Sequence, residues 1–271
     1  IRRVASEAAE GSLFVSDRTL FDAAQRAAAR AAAHTLTGFR THPVFERKGR
    51  SDLVTRFDRE SESILREELE KTGVAVVGEE TGGDRVSEAF YVDPIDGTTN
   101  FVHGHPFYCV SVGLVREGVP VFGVVVAPAL GITWRALVSE NIAWRNDQPC
   151  RVSQTADLAD SLLATGFPYD RSDEQTNNFK PFMHMKMHVQ AIRRCGAAAI
   201  DMCLVADGTY DGYWERRLNP WDVAGGGAIV RGAGGTVTLP DGSAFDARKG
   251  EALATNGLIH SALQAELAKV L

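Results

Sequence analysis

The sequence predicts an α+β amino-terminal half followed by an α/β carboxy-terminal half, and three observations carry that reading. Two helix-patterned segments precede closely spaced β-rich runs, strand-like and helix-like segments alternate after residue 160, and the texture changes between Pro149 and Thr155. The change puts the halves at residues 1–152 and 153–271. A chain of 271 residues suits one large domain or two small ones, each able to bury a core. No fixed-period repeat or low-complexity linker breaks it.

From Thr19 to about Leu36 an alanine-rich segment sets Leu20, Ala24, Ala27, Ala28 and Ala31 on one helical face. A second helix runs from Thr55, an N-cap residue type, through Phe57, Ile64, Leu65 and Leu69 to Gly73, which suits a C-terminal cap. Its charged face reads as solvated. Val74–Gly78 and Ala89–Asp93 read as short buried strands, each delivering acidic residues at its carboxyl end. Three β-rich runs between Phe107 and Val138, parted by turn signals around Gly118 and Pro128, predict an antiparallel meander. Beyond Ser153, strands are expected at Leu162–Thr165, Tyr210–Trp214, Thr236–Leu239 and Leu253–Thr255. Helices are expected at Gly196–Ala206, Val223–Arg231 and from Leu258 onward, and this alternation predicts the α/β layer.

Lys and Arg number 29 against 35 Asp and Glu, a formal net charge of −6. No global positive field draws such a chain to nucleic acid or to an anionic membrane, so any anion must be held locally. The longest apolar stretch, Val121–Ile132, is interrupted by Gly123, Pro128 and Gly131 and is far shorter than the roughly 20 residues of a membrane helix. The opening IRRVASEAAEGSLF has no apolar block of signal-peptide length. Cys109, Cys150, Cys195 and Cys203 form no C-x-x-C pair, which predicts buried, inert thiols and a cytoplasmic protein.

The chemistry begins at Asp93-Pro94-Ile95-Asp96-Gly97-Thr98-Thr99-Asn100. Two carboxylates three apart flank a proline that forbids a regular helix, directly after a predicted strand, so a turn can point both one way. Hard divalent cations such as Mg²⁺ need oxygen ligands, and two of them can clamp a phosphoryl group. Gly97, Thr98 and Thr99 would then open a helix whose free N–H groups suit a phosphate oxygen. The D-x-x-D spacing alone reads equally as a loop in which Asp96 caps a helix. Two further acidic positions join it: Glu79-Glu80 at the end of the preceding strand, and Asp222 after Trp221 at the start of a later helix. Each alone also reads as a surface pair or a cap.

The run GEE, then DPIDGTTNF, then WDVAGG, in that order, resembles the inositol monophosphatase family over nearly the whole chain. The resemblance implies a layered αβαβα sandwich shared with fructose-1,6-bisphosphatase, and a magnesium-dependent phosphomonoesterase that acts by metal-activated water. It also implies lithium sensitivity in many members and a homodimer. Carried over, Glu79, Asp93 and the Ile95 carbonyl bind one Mg²⁺ and Asp93, Asp96 and Asp222 a second, with Glu79 reaching a third ion. The amides of Gly97 and Thr98 cradle phosphate. Lys48, Asp52, Val54, Thr55 and Asp58 match an upstream pattern in which the lysine loop folds over the site and Asp58 pairs with Thr98 to steer a proton. Read without the family, Lys48 is an exposed turn and Asp58 a first-turn acid. Glu215, seven residues before Asp222, matches an acid that accepts hydrogen bonds from ring hydroxyls, and Ala197 leaves room for substrate. Arg216 and Arg217 depart from the small or apolar residues of other members, which leaves the preferred polyol phosphate open.

Other signals read blandly. His184 and His188 have the spacing of a helical zinc pair but no glutamate between them. The glycines from Gly225 to Gly235 lack G-x-G-x-x-G spacing and read as close helix packing. Asp93 and Asp96 are three apart and not two, unlike the nucleophile of D-x-D phosphatases. The leading expectation is hydrolysis of myo-inositol monophosphate, a small phosphorylated polyol. The rivals on the same fold are fructose 1,6-bisphosphate, histidinol phosphate, NADP and adenosine bisphosphate. A regulatory protein that binds a partner, with incidental catalysis, is the rival of another class.

Overall fold

The computed structural model describes residues 15–49, 52–84, 86–170, 172 and 176–271. The opening segment read above, residues 1–14, lies outside the described residues. The first helix, α1 (Asp17–Gly38), starts at Ser16, whose hydroxyl accepts the Thr19 N–H at 3.1 Å, and its five predicted face residues are all buried. A short antiparallel hairpin, β1 (Phe45–Arg47) and β2 (Leu53–Thr55), leads into α2 (Arg56–Leu69). One 3₁₀ turn then ends at Gly73, left-handed as expected of a cap at φ 81°.

A seven-stranded sheet follows: β3 (Ala75–Gly78), β4 (Glu88–Asp96), β5 (Cys109–Arg116), β6 (Val119–Ala127), β7 (Ile132–Leu137), β8 (Ile142–Arg145) and β9 (Gln148–Cys150), with the short α3 (Thr98–Val102) between β4 and β5. Only β3 and β4 pair in parallel; the rest is the antiparallel meander, two strands longer than the sequence predicts. The extra hairpin escapes sequence reading because β8 is four residues long and β9 contains Pro149, which only an edge strand tolerates.

The second half contributes β10 (Leu162–Thr165), α4 (Phe179–Lys186), β11 (Ala191–Arg193), α5 (Ala198–Ala206), β12 (Gly212–Glu215), α6 (Pro220–Gly232), β13 (Thr236–Thr238), β14 (Ala252–Thr255) and α7 (His260–Leu267). Its five strands lie in the order β11-β10-β12-β14-β13. The pairs on β10 are parallel, as alternation predicts, whereas β12–β14 and β13–β14 are antiparallel. No helical crossover separates β13 from β14, so nothing forces them to run the same way.

Period-two burial decides the stacking. Val110, Val112 and Leu114 of β5 with Phe122 and Val124 of β6 pack against α1 and α2. Cys109, Val115, Val125 and Ala127 face the other way, into a core shared with α5, α6 and the five-stranded sheet. The far face of that sheet, through Leu163, Trp214 and Leu253, packs on Met185 of α4 and on Leu263 and Leu267 of α7. The result is the expected αβαβα layering. Glycines set the central contact: a Cβ on Gly113 would lie 2.6 Å from the Gly225 nitrogen, and one on Gly123 only 2.1 Å from the Gly225 oxygen. Helix α6 therefore lies directly on β5 and β6, which brings its first turn, with Asp222, to the end of β4.

Candidate active site

Strand β4 does not stop at Asp93. Pairing with β5 shifts register after Asp93↔Ser111 and resumes at Asp96↔Cys109, so the expected turn is a bulge inside a strand. A bulge leaves residues unpaired, and Pro94, which has no N–H to donate, costs no ladder bond there. Both Asp93 and Asp96 are buried and, with Glu79 from the end of β3 and Asp222 from α6, line one cleft of about 340 Å³. Gly97 follows at φ 91°, where a Cβ would also come within 3.1–3.3 Å of Phe107, Gly196 and Ala197. Only glycine suits both demands. Helix α3 begins at Thr98, as predicted.

The cap readings are also true, in part. Asp96 Oδ2 accepts the Ala199 N–H at 2.7 Å and so caps α5, a helix 103 residues onward instead of the one it adjoins. Asp222 accepts the Asn219 N–H at 2.7 Å, closing the first turn of α6. Neither bond consumes the whole carboxylate.

Four carboxylates on one cleft, Asp93 and Asp96 buried and Glu79 and Asp222 partly so, repel. Burial, followed by the opposing Lys48 and the like charge of Asp222, leaves the Glu79 pKa at about 8. Burial pushes Asp96 to about 7 and, with Asp96 beside it, Asp222 to about 8. Asp93 rises well above the usual carboxylate range through burial and the Glu79, Asp96 and Asp222 charges. Among the described residues only Lys48 pairs directly with this set, at 3.1 Å from Glu79 Oε1 and 2.6 Å from Glu80 Oε1. An all-oxygen set of this density, including the Ile95 carbonyl, fits hard divalent cations.

The upstream residues meet where the resemblance puts them. The β1–β2 hairpin carries Lys48 over Glu79, with the Lys48 N–H on the Asp52 carbonyl at 3.0 Å. Asp58 completes a capping box with Thr55, accepting its N–H at 2.8 Å and its hydroxyl at 2.6 Å. The other Asp58 oxygen accepts from Thr98 Oγ1 at 3.0 Å. The solvated face expected of α2 holds at Arg56, Arg59, Glu60 and Glu67, which are exposed, but not at Asp58, Ser61 and Glu62, which are fully buried. Glu62, which sequence reasoning missed, accepts the N–H groups of Glu80 at 2.7 Å and Thr81 at 3.1 Å, and Arg66 Nε at 3.1 Å. It fixes the loop that carries Glu79. The available signal was an acid at the helical position between Asp58 and Leu65, on the apolar side.

On the opposite wall, Ala197, Ala198 and Glu215 line the cleft, and burial raises Glu215 to about 7. Tyr213 donates to Glu215 Oε2 at 2.6 Å, and a Cβ on Gly166 would fall 2.0 Å from the same oxygen. Asp201 of α5, also missed, is buried on this wall with one oxygen lacking a hydrogen-bond partner, near the Arg194 charge. Asn100 ties α3 to this wall by donating to Phe107 O at 2.7 Å and Cys195 O at 2.9 Å. All four cysteines are free thiols raised by burial, yet Cys150 and Cys195 are only half-buried, against expectation. No helix among the described residues is long and apolar enough to cross a membrane.

This arrangement agrees with what the chain is similar to. The profile of the inositol monophosphatase family matches residues 16–271. An inositol-1-monophosphatase of Synechocystis sp. is 46% identical over 229 residues, 82% of this chain and 79% of that protein. The structure of an inositol monophosphatase from Anabaena (Nostoc) sp. superposes with a TM-score of 0.85 at 37% identity, covering 94% of this chain and 97% of that one. The extragenic suppressor protein SuhB of Bartonella henselae gives the same TM-score at 34% identity, covering 92% and 98%. A converging set of acids, a superposable fold and similarity along both halves leave one conclusion: the chain belongs to the inositol monophosphatase family of phosphomonoesterases.

Proposed function

We propose that the protein hydrolyses myo-inositol monophosphate to inositol and phosphate with Mg²⁺. The observation that carries the reading is the gathering of Glu79, Asp93, Asp96 and Asp222, from three segments, onto one cleft where Lys48 is their single direct cationic partner among the described residues. Glu79, Asp93 and the Ile95 carbonyl would hold one ion and Asp93, Asp96 and Asp222 the second, with Glu79 reaching a third. Bound there, the ions supply positive charge to the phosphoryl oxygens and lower the pKa of water.

The chain's own groups do the rest. Thr98 has one hydroxyl proton and two acceptors, Asp58 Oδ1 and Ile95 O, each at 3.0 Å. Held toward Asp58, that proton leaves the Thr98 oxygen lone pairs available to orient and accept from an attacking water. The Gly97 and Thr98 amides meet phosphate oxygens, Lys48 holds its loop against Glu79, and Glu215 accepts from ring hydroxyls above the short Ala197. Lithium inhibition, a homodimer and a cytoplasmic location accompany this reading.

Phosphate release from inositol 1-phosphate, fructose 1,6-bisphosphate, histidinol phosphate, NADP and adenosine bisphosphate tests the substrate. Inositol 1-phosphate should lead the panel; its ranking last overturns the choice. The partner-binding rival predicts that Asp96→Asn leaves the cellular phenotype unchanged, whereas the enzymatic reading predicts its loss.

A further inference from the structure

One cluster lies outside the cleft, in the outermost helical layer. His184 sits in the last turn of α4, and His188 follows the end of that helix. The glutamate that the intervening Met185-Lys186-Met187 does not supply comes from α7: Glu266 Oε2 lies 2.8 Å from His184 Nε2 and 3.8 Å from His188 Nε2. The two imidazoles stack with centroids 4.4 Å apart, and the three ligand atoms all lie within 4.8 Å of one another. Tetrahedral zinc, with bonds of roughly 2.0–2.2 Å to imidazole and carboxylate, separates its ligand atoms by about 3.3–3.6 Å. The observed spacings bracket that range.

The surrounding contacts orient these atoms. His188 Nδ1 lies 2.8 Å from the His184 carbonyl, which can only accept, so Nδ1 carries a proton and Nε2 is the ring nitrogen on the Glu266 side. A backbone carbonyl on the far ring nitrogen is the usual outer partner of a metal-binding histidine. The second Glu266 oxygen accepts from Lys269 Nζ at 2.7 Å, as ligating carboxylates are themselves held. We propose that His184, His188 and Glu266 form a zinc-binding site of the His₂Glu type, open to water at a fourth position, that clamps α4 to α7. Nitrogen-rich ligation selects borderline ions such as Zn²⁺ or Co²⁺ over Mg²⁺. The site is separate from the acidic cleft and independent of the phosphatase reading.

The test titrates Co²⁺ and Zn²⁺ into the full-length protein in saturating Mg²⁺, by calorimetry and by visible Co²⁺ absorption, for the parent chain, His188→Ala and His184→Gln. The parent should bind one equivalent more than either variant, with tetrahedral nitrogen–oxygen bands and no thiolate charge-transfer band. Each variant should weaken that equivalent by more than the roughly 10–100-fold that losing an outer partner costs. Zn²⁺ should raise the melting temperature of the parent only, while stabilisation by Mg²⁺ and phosphate release persist in both variants and report that they fold. Equal stoichiometry in parent and variants, or thiolate bands that account for the bound Co²⁺, overturns the site.

Discussion

Two groups of acids, one on α2 and one gathered at the ends of β3 and β4 and the start of α6, differ in what surrounds them. Glu62 and Asp58 on α2 are wrapped in donors: two amides and Arg66 for the first, the Thr55 amide and two hydroxyls for the second. Asp93 has one amide, that of Ile95 at 2.9 Å, and otherwise faces the charges of Glu79, Asp96 and Asp222. Glu62 sits in a finished structural network and Asp58 reaches the cleft through Thr98 alone; the second group is complementary to cations that the protein does not itself supply. Burial alone therefore does not mark a catalytic acid. The balance of donors around it does.

The sharpest separation comes from substituting one acid of each group. Asp93→Asn should lower phosphate release by roughly 10²–10³-fold or more, yet raise the melting temperature in EDTA, because one like charge leaves the cleft. Glu62→Ala should do the reverse in kind: it strands Arg66 and two amides and costs roughly 3–5 kcal/mol of stability. Unfolding with and without EDTA reads both, and a stabilising Glu62→Ala would erase the distinction.

Protonation and metal should compete at the cleft only. Glu79 and Asp222 have folded-state pKa values of about 8 and Asp96 of about 7, all above their unfolded values. A raised carboxylate pKa means the folded state holds protons that the unfolded chain releases. That contribution is complete below about pH 4 and lost as pH climbs to about 8. In EDTA the melting temperature should accordingly fall between pH 5 and pH 8. A fixed Mg²⁺ concentration of about a hundred times its dissociation constant at pH 8 should restore about 2.7 kcal/mol there, and less at pH 5, where protons hold the ligands. A metal-free protein that melts higher at pH 8 contradicts the assignment.

The same contrast explains what was legible in the sequence. Asp93, Asp96, Glu79 and Asp222 could be singled out because each lies at the end of a strand or the start of a helix within a specific run, and the αβαβα order followed from the resemblance those runs carry. Glu62, Asp201 and Tyr213 could not. The amides that Glu62 accepts, those of Glu80 and Thr81, lie 18 and 19 residues away, and only tertiary packing reveals that a polar side chain is inside. The bulge that carries β4 through Pro94 was hidden for a different reason: proline signals the end of a strand locally, and the resumed pairing of Asp96 with Cys109 is a property of β5.

The smallest effect concerns the opposite wall, where Glu215 falls between the two groups. It is buried like the cleft acids but has one donor of its own, Tyr213, which lowers a pKa that burial has raised to about 7. Tyr213→Phe deletes that hydroxyl and adds no bulk. A hydrogen bond to a charged group is worth roughly 1.5–3 kcal/mol, so the Glu215 pKa should rise by about one to two units. At pH 7 more of the carboxyl is then protonated and less of it accepts from a substrate hydroxyl. KM for inositol 1-phosphate should rise, kcat should hold, and the lower limb of the KM profile should move toward higher pH. A fall in kcat with an unmoved KM profile would instead put Tyr213 with the acids that handle phosphate, and shift the boundary between the two walls of the cleft.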